Sequence, residues 1–334
     1  MLFDQIIGQE KTLNIIRSAL GKGRVPTAYL FTGPAGCGRM PAALALAAAM
    51  NCESEQGPCG ACQSCRLHET FAHPDLHIIR PLPGKRWIVI EQIREQVLEK
   101  AYLMPMRGRV SIFILDDAHT MYPNAANAFL KTLEEPPETS RFVLIAPGRD
   151  SVLPTISSRC QELSFRPLGR KEMITLLGRH GVGRDRAHLL ASMSRGSMER
   201  ALEYHRGEIP EKLAEEFEPL SKLTDADWGT LFGLSQRWGK SRQEAMQVLE
   251  FMAQWFRDML ILAEGGGEEW VIHSSQLPVL RGEAARLGGY SLSMVLETIE
   301  DTREDLERNA NVQLSLDNML IRIRRQGLLK ENRA

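Results

Sequence analysis

Apolar and polar positions recur along the chain with changing periods, and the change divides it. Between Gln9 and Leu20 the apolar residues Leu13, Ile16 and Leu20 fall at helical spacing. Ala28 to Thr32 is a short apolar run closed by Gly33-Pro34, as a strand buried on both faces requires. Pro41 to Met50 is alanine-rich and predicts a closely packed helix. The alternation continues with a strand over Asp75 to Ile79 and a helix over Ile90 to Leu103, with Ile90, Ile93 and Val97 on one face. Val110 to Leu115 predicts a strand ending in Asp116-Asp117, and Asn124 to Glu134 a helix closed by Pro136-Pro137. Strands over Arg141 to Ala146 and Glu162 to Phe165 complete an α/β domain over residues 1–166, a parallel sheet covered on both faces. From Pro167 the strands stop. Arg170 to Gly181, Arg184 to Ser194 and Ser197 to His205 read as three short helices, a small helical lid over 167–207. Gln243 to Leu262, Ser291 to Arg308 and Val312 to Leu328 then predict an all-α domain over 208–334, with Gly265-Gly266-Gly267 a loop between helices.

Composition narrows the function classes. The 334 residues are 43% hydrophobic and 25% charged, as in ordinary globular proteins. Lys and Arg number 41 against 42 Asp and Glu, so no global basic footprint for nucleic acid is present. A local surface would depend on where the charges sit. No apolar run approaches the roughly 18–20 residues of a membrane span. Met1-Leu-Phe-Asp-Gln has no basic-then-apolar signal segment, and the expected location is the cytoplasm.

Residues 33–40, Gly-Pro-Ala-Gly-Cys-Gly-Arg-Met, follow a predicted strand and open a predicted helix. This is the frame of a phosphate-binding loop, G-x-x-x-x-G-K-[S/T], whose backbone N–H groups face a phosphate. Gly33 and Gly38 are in register, but Arg39 stands for the lysine and Met40 for the hydroxyl residue. Arginine is a wide planar fork where lysine is a compact charge. Methionine offers no oxygen to Mg²⁺. Asp116 at the end of the strand Ile112 to Leu115 could hold a metal; Asp117 is one methylene shorter than the glutamate that usually polarises an attacking water. The expectation is a degenerate site that binds ATP poorly and no intrinsic ATPase.

Four of the six cysteines lie in Cys52-x₆-Cys59-x₂-Cys62-x₂-Cys65. Four thiolates at this spacing satisfy a closed, tetrahedral structural Zn²⁺ site, a zinc module at about 52–65. His68 and His73 are alternative ligands, though neither is needed. An iron–sulfur cluster is the other metal reading. The loop carries Glu53 and Glu55 and no Lys or Arg, which argues against a DNA-binding finger.

Several segments resemble the bacterial clamp-loader family of AAA+ proteins, the delta-prime and gamma/tau subunits of DNA polymerase III. They are Phe3-x-x-Ile6-Ile7-Gly8-Gln9, Ala28 to Pro34, the cysteine cluster, His73-Pro74-Asp75, Ala125 to Pro137 with its Leu-Glu-Glu-Pro-Pro ending, and Leu153 to Cys160. The resemblance runs from Phe3 to about residue 205; beyond that only length and helical character agree. It implies an AAA+ P-loop domain with a zinc module, a helical lid and a C-terminal collar that assembles a hetero-pentamer.

The resemblance also assigns roles. Family ATPases place a polar sensor residue where this chain has Ala146-Pro147-Gly148, and a lid arginine where it has Glu199; Arg200 lies about 100° off that helical face. With Arg39 and Met40 these departures set the chain apart from the gamma/tau motors. Ser158-Arg159-Cys160 is intact, and in the family this arginine reaches in trans into a neighbour's ATP site. Lys131 and Glu134 read chiefly as the polar side of a buried helix, with contact to a neighbour or DNA as the other reading. The basic run Arg322, Arg324, Arg325 and Lys330 reads as a solvated face or part of the collar. The expected function is an ATP-inert delta-prime-like subunit. Its implied partners are gamma/tau and delta subunits and, through the complex, the sliding clamp and primer-template DNA. An active gamma/tau-type motor is the alternative, which a Gly-Lys-Thr run at 38–40 would have favoured. A stand-alone zinc-dependent nucleic-acid binder is disfavoured by the neutral charge.

Overall fold

A computed structural model describes residues 3–54, 57–207 and 226–331. Glu55 and the start of the expected collar, residues 208–225, lie outside the described residues, as does the side chain of Lys330. The chain forms two compact units, Met1–Val182 with Ser194–Arg200, and Gly183–Met193 with Ala201–Ala334.

The first unit is built on five parallel strands: β1 (Ala28–Thr32), β2 (Leu76–Ile79), β3 (Ser111–Leu115), β4 (Ser140–Ala146) and β5 (Gln161–Ser164). Their order is β2-β3-β4-β1-β5. Register pairs Leu30 with Leu144 and Glu162, and Ile114 with Ile78 and Val143. Every residue of β1 and β3 is buried, as in a sheet covered on both sides. Successive side chains alternate faces. Leu30, Phe113, Leu115, Phe142 and Leu144 join one cluster with Phe129 and Leu133 of the helix Pro123–Glu134. Tyr29, Phe31, Ile112, Ile114 and Val143 join the other with Leu13, Ile16 and the alanines of the helix Arg39–Met50. Each large apolar side chain removed from water in this way contributes about 1.5–3 kcal/mol. β1 is the switch point: the chain leaves it in one direction toward β2 and later returns to pair β5 on its other side. Ligand crevices of open parallel sheets form outside the carboxyl ends of strands at such a point.

The expected strands of this unit all form, Ala28–Thr32 with the expected bounds and the others with ends shifted by at most one residue. The helix expected to reach Leu103 begins as Ile90–Ile93, passes through a π turn at Arg94–Leu98 and ends as Glu99–Ala101. Met104-Pro105 follows, and a residue before proline is pushed out of helical conformation.

The second unit is helical: Arg184–Met193, Trp228–Trp238, Arg242–Ala263, Leu277–Glu307 and Val312–Glu331. Trp228–Trp238 was not expected, because Gly229 and Gly233 dilute its pattern. It is held by the Asp227 side chain, which accepts from Thr230 N–H at 3.0 Å, and by its buried Leu231, Leu234 and Trp238. The helix Leu277–Glu307 bends at Gly288 (φ 72°, ψ 160°), which hides its first third from a periodicity search.

Candidate functional site

β1 ends in the loop Gly33 to Gly38, which three glycines shape. Gly33, Gly36 and Gly38 have φ of 141°, 68° and 108°, all in the region that favours glycine. A Cβ on Gly33 would stand 2.2 Å from the Phe165 carbonyl oxygen, and one on Gly36 would stand 2.5 Å from the Glu199 backbone nitrogen. The loop is braced from both sides. Gly33 N–H donates to the Pro147 carbonyl at 3.1 Å, and Met198 N–H donates to the Gly36 carbonyl at 3.1 Å. Buried Gln9 donates to the carbonyls of Cys37 (2.9 Å) and Arg166 (2.8 Å) and accepts from Arg166 N–H at 3.1 Å. The Ile-Gly-Gln segment thus ties the loop to the end of β5.

Arg39 opens the following helix and is turned inward. Its residue is only 8% exposed, and its Nη1 donates to the carbonyl of Ala146, the last residue of β4, at 2.5 Å. Its charge also acts on Asp116. Burial pushes the Asp116 carboxyl above the usual range and Asp117 adds to this; Arg80 and Arg39 oppose it. Arg80 Nη2 lies 3.9 Å from Asp116. The structure therefore sets Arg39, directly after the loop Gly33 to Gly38, within electrostatic reach of Asp116, with its guanidinium against the Ala146 carbonyl. Met40 packs against the apolar cluster beneath the sheet. Asp117 is exposed and left-handed (φ 56°), a conformation Asp tolerates better than most residues.

Arg159 makes its contacts elsewhere. It follows the short helix Pro154–Ser157, and its Nη1 donates to the Thr155 carbonyl at 2.8 Å. Its Nη2 donates to Glu134 Oε1 at 2.5 Å. Cys160, next in the chain, packs against the cluster that holds Phe129 and Ile156, and burial pushes its thiol up to about 12. Ser158 Oγ donates to the Thr155 carbonyl at 3.1 Å.

The four cysteines form a knuckle between two helices. Cys52 follows the helix Arg39–Met50, and Cys62 caps the helix Gln63–Glu69, a short helix that no hydrophobic period in the sequence marks. All four Sγ atoms lie within 4.8 Å of one another, with Cys52–Cys62 at 3.9 Å and Cys52–Cys65 at 3.7 Å. Tetrahedral Zn–S bonds of ~2.3 Å place sulfurs about 3.8 Å apart, whereas a disulfide needs about 2.05 Å. The sulfurs accept N–H bonds: Cys52 from Ser54 and Cys59, Cys59 from Cys62, and Cys62 from Cys65, at 3.3–3.4 Å. Such donors stabilise thiolates. N–H groups of Ala61 and Cys62 hold the exposed Cys59 thiol at about 6, while burial pushes Cys65 up to about 12. A Cβ on Gly57 would stand 2.3 Å from that of Cys52, so the turn admits only glycine. These four cysteines could hold a metal ion.

His68 and His73 stand apart from the four sulfurs. They stack at 4.1 Å, and His73 Nε2 lies 3.1 Å from Ser64 Oγ. Asp75 accepts N–H bonds from Met106, Arg107 and Gly108 at 2.6–2.9 Å and fixes the approach to β3.

A family model described as DNA polymerase III, delta subunit, matches residues 8–169, the segment that carries both the loop and the knuckle. The delta' subunit of DNA polymerase III from Bacillus subtilis (strain 168) is 28% identical over 319 residues, which span 94% of this chain and 95% of that protein. The chain belongs to the clamp-loader family of DNA polymerase III subunits. Other clamp-loader relatives are longer. The gamma/tau subunit of Mycobacterium tuberculosis (strain ATCC 25618 / H37Rv) is 28% identical over 330 residues, 89% of this chain and 56% of that protein. The tau subunit of Escherichia coli (strain K12) is 34% identical over 208 residues, 60% of this chain and 32% of that protein. Among solved structures, a gamma subunit-related protein of Thermotoga maritima superposes with a TM-score of 0.48 at 20% identity, covering 95% of this chain and 99% of that one. No helix among the described residues is long and apolar enough to cross a membrane.

For this clamp-loader chain, sequence reasoning named the loop, the aspartates, Arg159 and the cysteines. It assigned no role in the site to Gln9, to Arg80, or to Glu134 as the partner of Arg159. Gln9 had a signal, since it lies in a family segment. The pairings of Arg80 and Glu134 had none, because they join residues 36 and 25 positions apart.

Proposed function

We propose that this chain is an ATP-inert, delta-prime-type subunit of a DNA polymerase III clamp loader. It joins gamma/tau and delta subunits in a hetero-pentamer, helps place the sliding clamp on primer-template DNA, and lends Arg159 to a neighbour's ATP site. The observation that carries the reading is Arg39, directly after the glycine loop, whose buried guanidinium is bonded to the carbonyl of Ala146 at the end of β4. A cation of the chain's own stands among the groups that would otherwise meet phosphate and Mg²⁺. Met40 and Glu199 supply no contact to replace those lost. The same reading treats Cys52, Cys59, Cys62 and Cys65 as ligands of a structural Zn²⁺ with no open position for chemistry. It divides the chain into an AAA+ domain (1–166), a lid (167–207) and a collar (208–334).

On the giving side, Arg159 would stabilise charge developing on the phosphoryl group transferred in the neighbour. Arginine fingers contribute about 10³–10⁵ in rate. Reconstitution with gamma/tau and delta partners tests this: Arg159→Ala should cut the ATPase of the complex by at least about tenfold while assembly persists. Undiminished ATPase in assembled complexes would refute the assignment.

A further inference from the structure

We propose that Glu134 is the positioning residue for Arg159, fixing its guanidinium before a neighbour docks; this rests on the finger reading of Arg159. Both residues are anchored on one core. The helix Pro123–Glu134 buries Ala125, Ala126, Phe129 and Leu133, and Ile156 of the helix Pro154–Ser157 joins the same cluster. From these two elements a carboxylate and a carbonyl converge on one guanidinium, Glu134 Oε1 at 2.5 Å from Nη2 and Thr155 O at 2.8 Å from Nη1. The pair is accessible, with side-chain exposures of 36% for Arg159 and 48% for Glu134.

Two directions are thereby fixed while donors stay available. A guanidinium has five N–H groups in a rigid fork. Arg159 Nη2 donates to Glu134 and Nη1 to the Thr155 carbonyl, with Ser158 Oγ a longer contact of Nη1 at 3.5 Å, and its Nε has no partner among the described residues. A phosphate arriving from a neighbour finds the fork already aimed. The advantage is entropic, since a free arginine side chain gives up rotamer freedom when it is immobilised. An exposed ion pair contributes little to folding, so this role is separable from stability.

Glu134→Ala, Glu134→Gln and Arg159→Ala would be compared in the reconstituted complex by steady-state ATPase. Glu134→Ala is expected to lower kcat about tenfold, with KM for ATP unchanged within about twofold because the arginine acts on the transferred group. Glu134→Gln keeps an oxygen at the same reach and should recover most of that loss. A kcat at the wild-type level in Glu134→Ala complexes that Arg159→Ala inactivates would overturn the proposal and leave the finger standing. Undiminished activity in Arg159→Ala itself would remove the finger and the positioning role together. If Glu134→Ala fails to assemble, Glu134→Gln decides: activity as low as Arg159→Ala overturns the proposal, and activity near wild type with lowered salt sensitivity, as expected once the screened ion pair becomes a neutral hydrogen bond, supports it.

Discussion

Arg39 takes a positive charge out of water with no carboxylate at salt-bridge distance among the described residues. A buried guanidinium persists only where its donors are used, and here Nη1 meets the Ala146 carbonyl while Asp116 supplies negative potential nearby. Truncation to Arg39→Ala should therefore lower unfolding free energy by about 1.5–3 kcal/mol, the range for losing a hydrogen bond to a charged group. Urea denaturation monitored by circular dichroism measures it; a change below about 0.5 kcal/mol would mean that the side chain is a passenger. The arginine itself is legible in the sequence, since Gly33 and Gly38 keep the register of the motif and place Arg39 where it has lysine. Its partner is not legible: Ala146 lies 107 positions on and offers only a backbone oxygen.

Among the elements, strands with unbroken burial are read directly, because β1 and β3 are short apolar runs bounded by glycine or aspartate. Helices interrupted by glycine are not, as Trp228–Trp238 and the bend at Gly288 show. The helix Gln63–Glu69 escapes for a different reason. Its first turn is specified by thiols, with the Cys62 sulfur accepting from Cys65 N–H at 3.4 Å, and no hydrophobic period marks it. That dependence makes the knuckle sensitive to metal. One zinc per chain is expected by elemental analysis of a colourless preparation. A strong chelator should release it, unwind the helix Gln63–Glu69 and expose that helix to protease before the sheet unfolds. Protease resistance unaffected by chelation would argue that thiol packing alone holds the segment.

At the scale of the whole molecule, charge is balanced, with 41 basic and 42 acidic side chains. Its chemistry is a matter of local arrangement. A ligand that binds only the native state raises stability by about 2.7 kcal/mol at 100 times its Kd. On the proposed ATP-inert reading, this chain should gain nothing of the kind from ATP. Millimolar Mg-ATP is expected to move the thermal midpoint by less than about 1 °C, where a motor-type site would move it by several degrees. The division into units has a practical side as well. Ser194–Arg200 belongs to the first unit although the chain on either side of it belongs to the second. That short return strand of polypeptide supplies Met198, whose N–H caps the Gly36 carbonyl. No single cut can therefore yield both halves intact. A fragment ending at Val182 would keep the whole sheet yet leave its glycine loop uncovered, and fragments meant for isolated study need a grafted copy of the 194–200 segment.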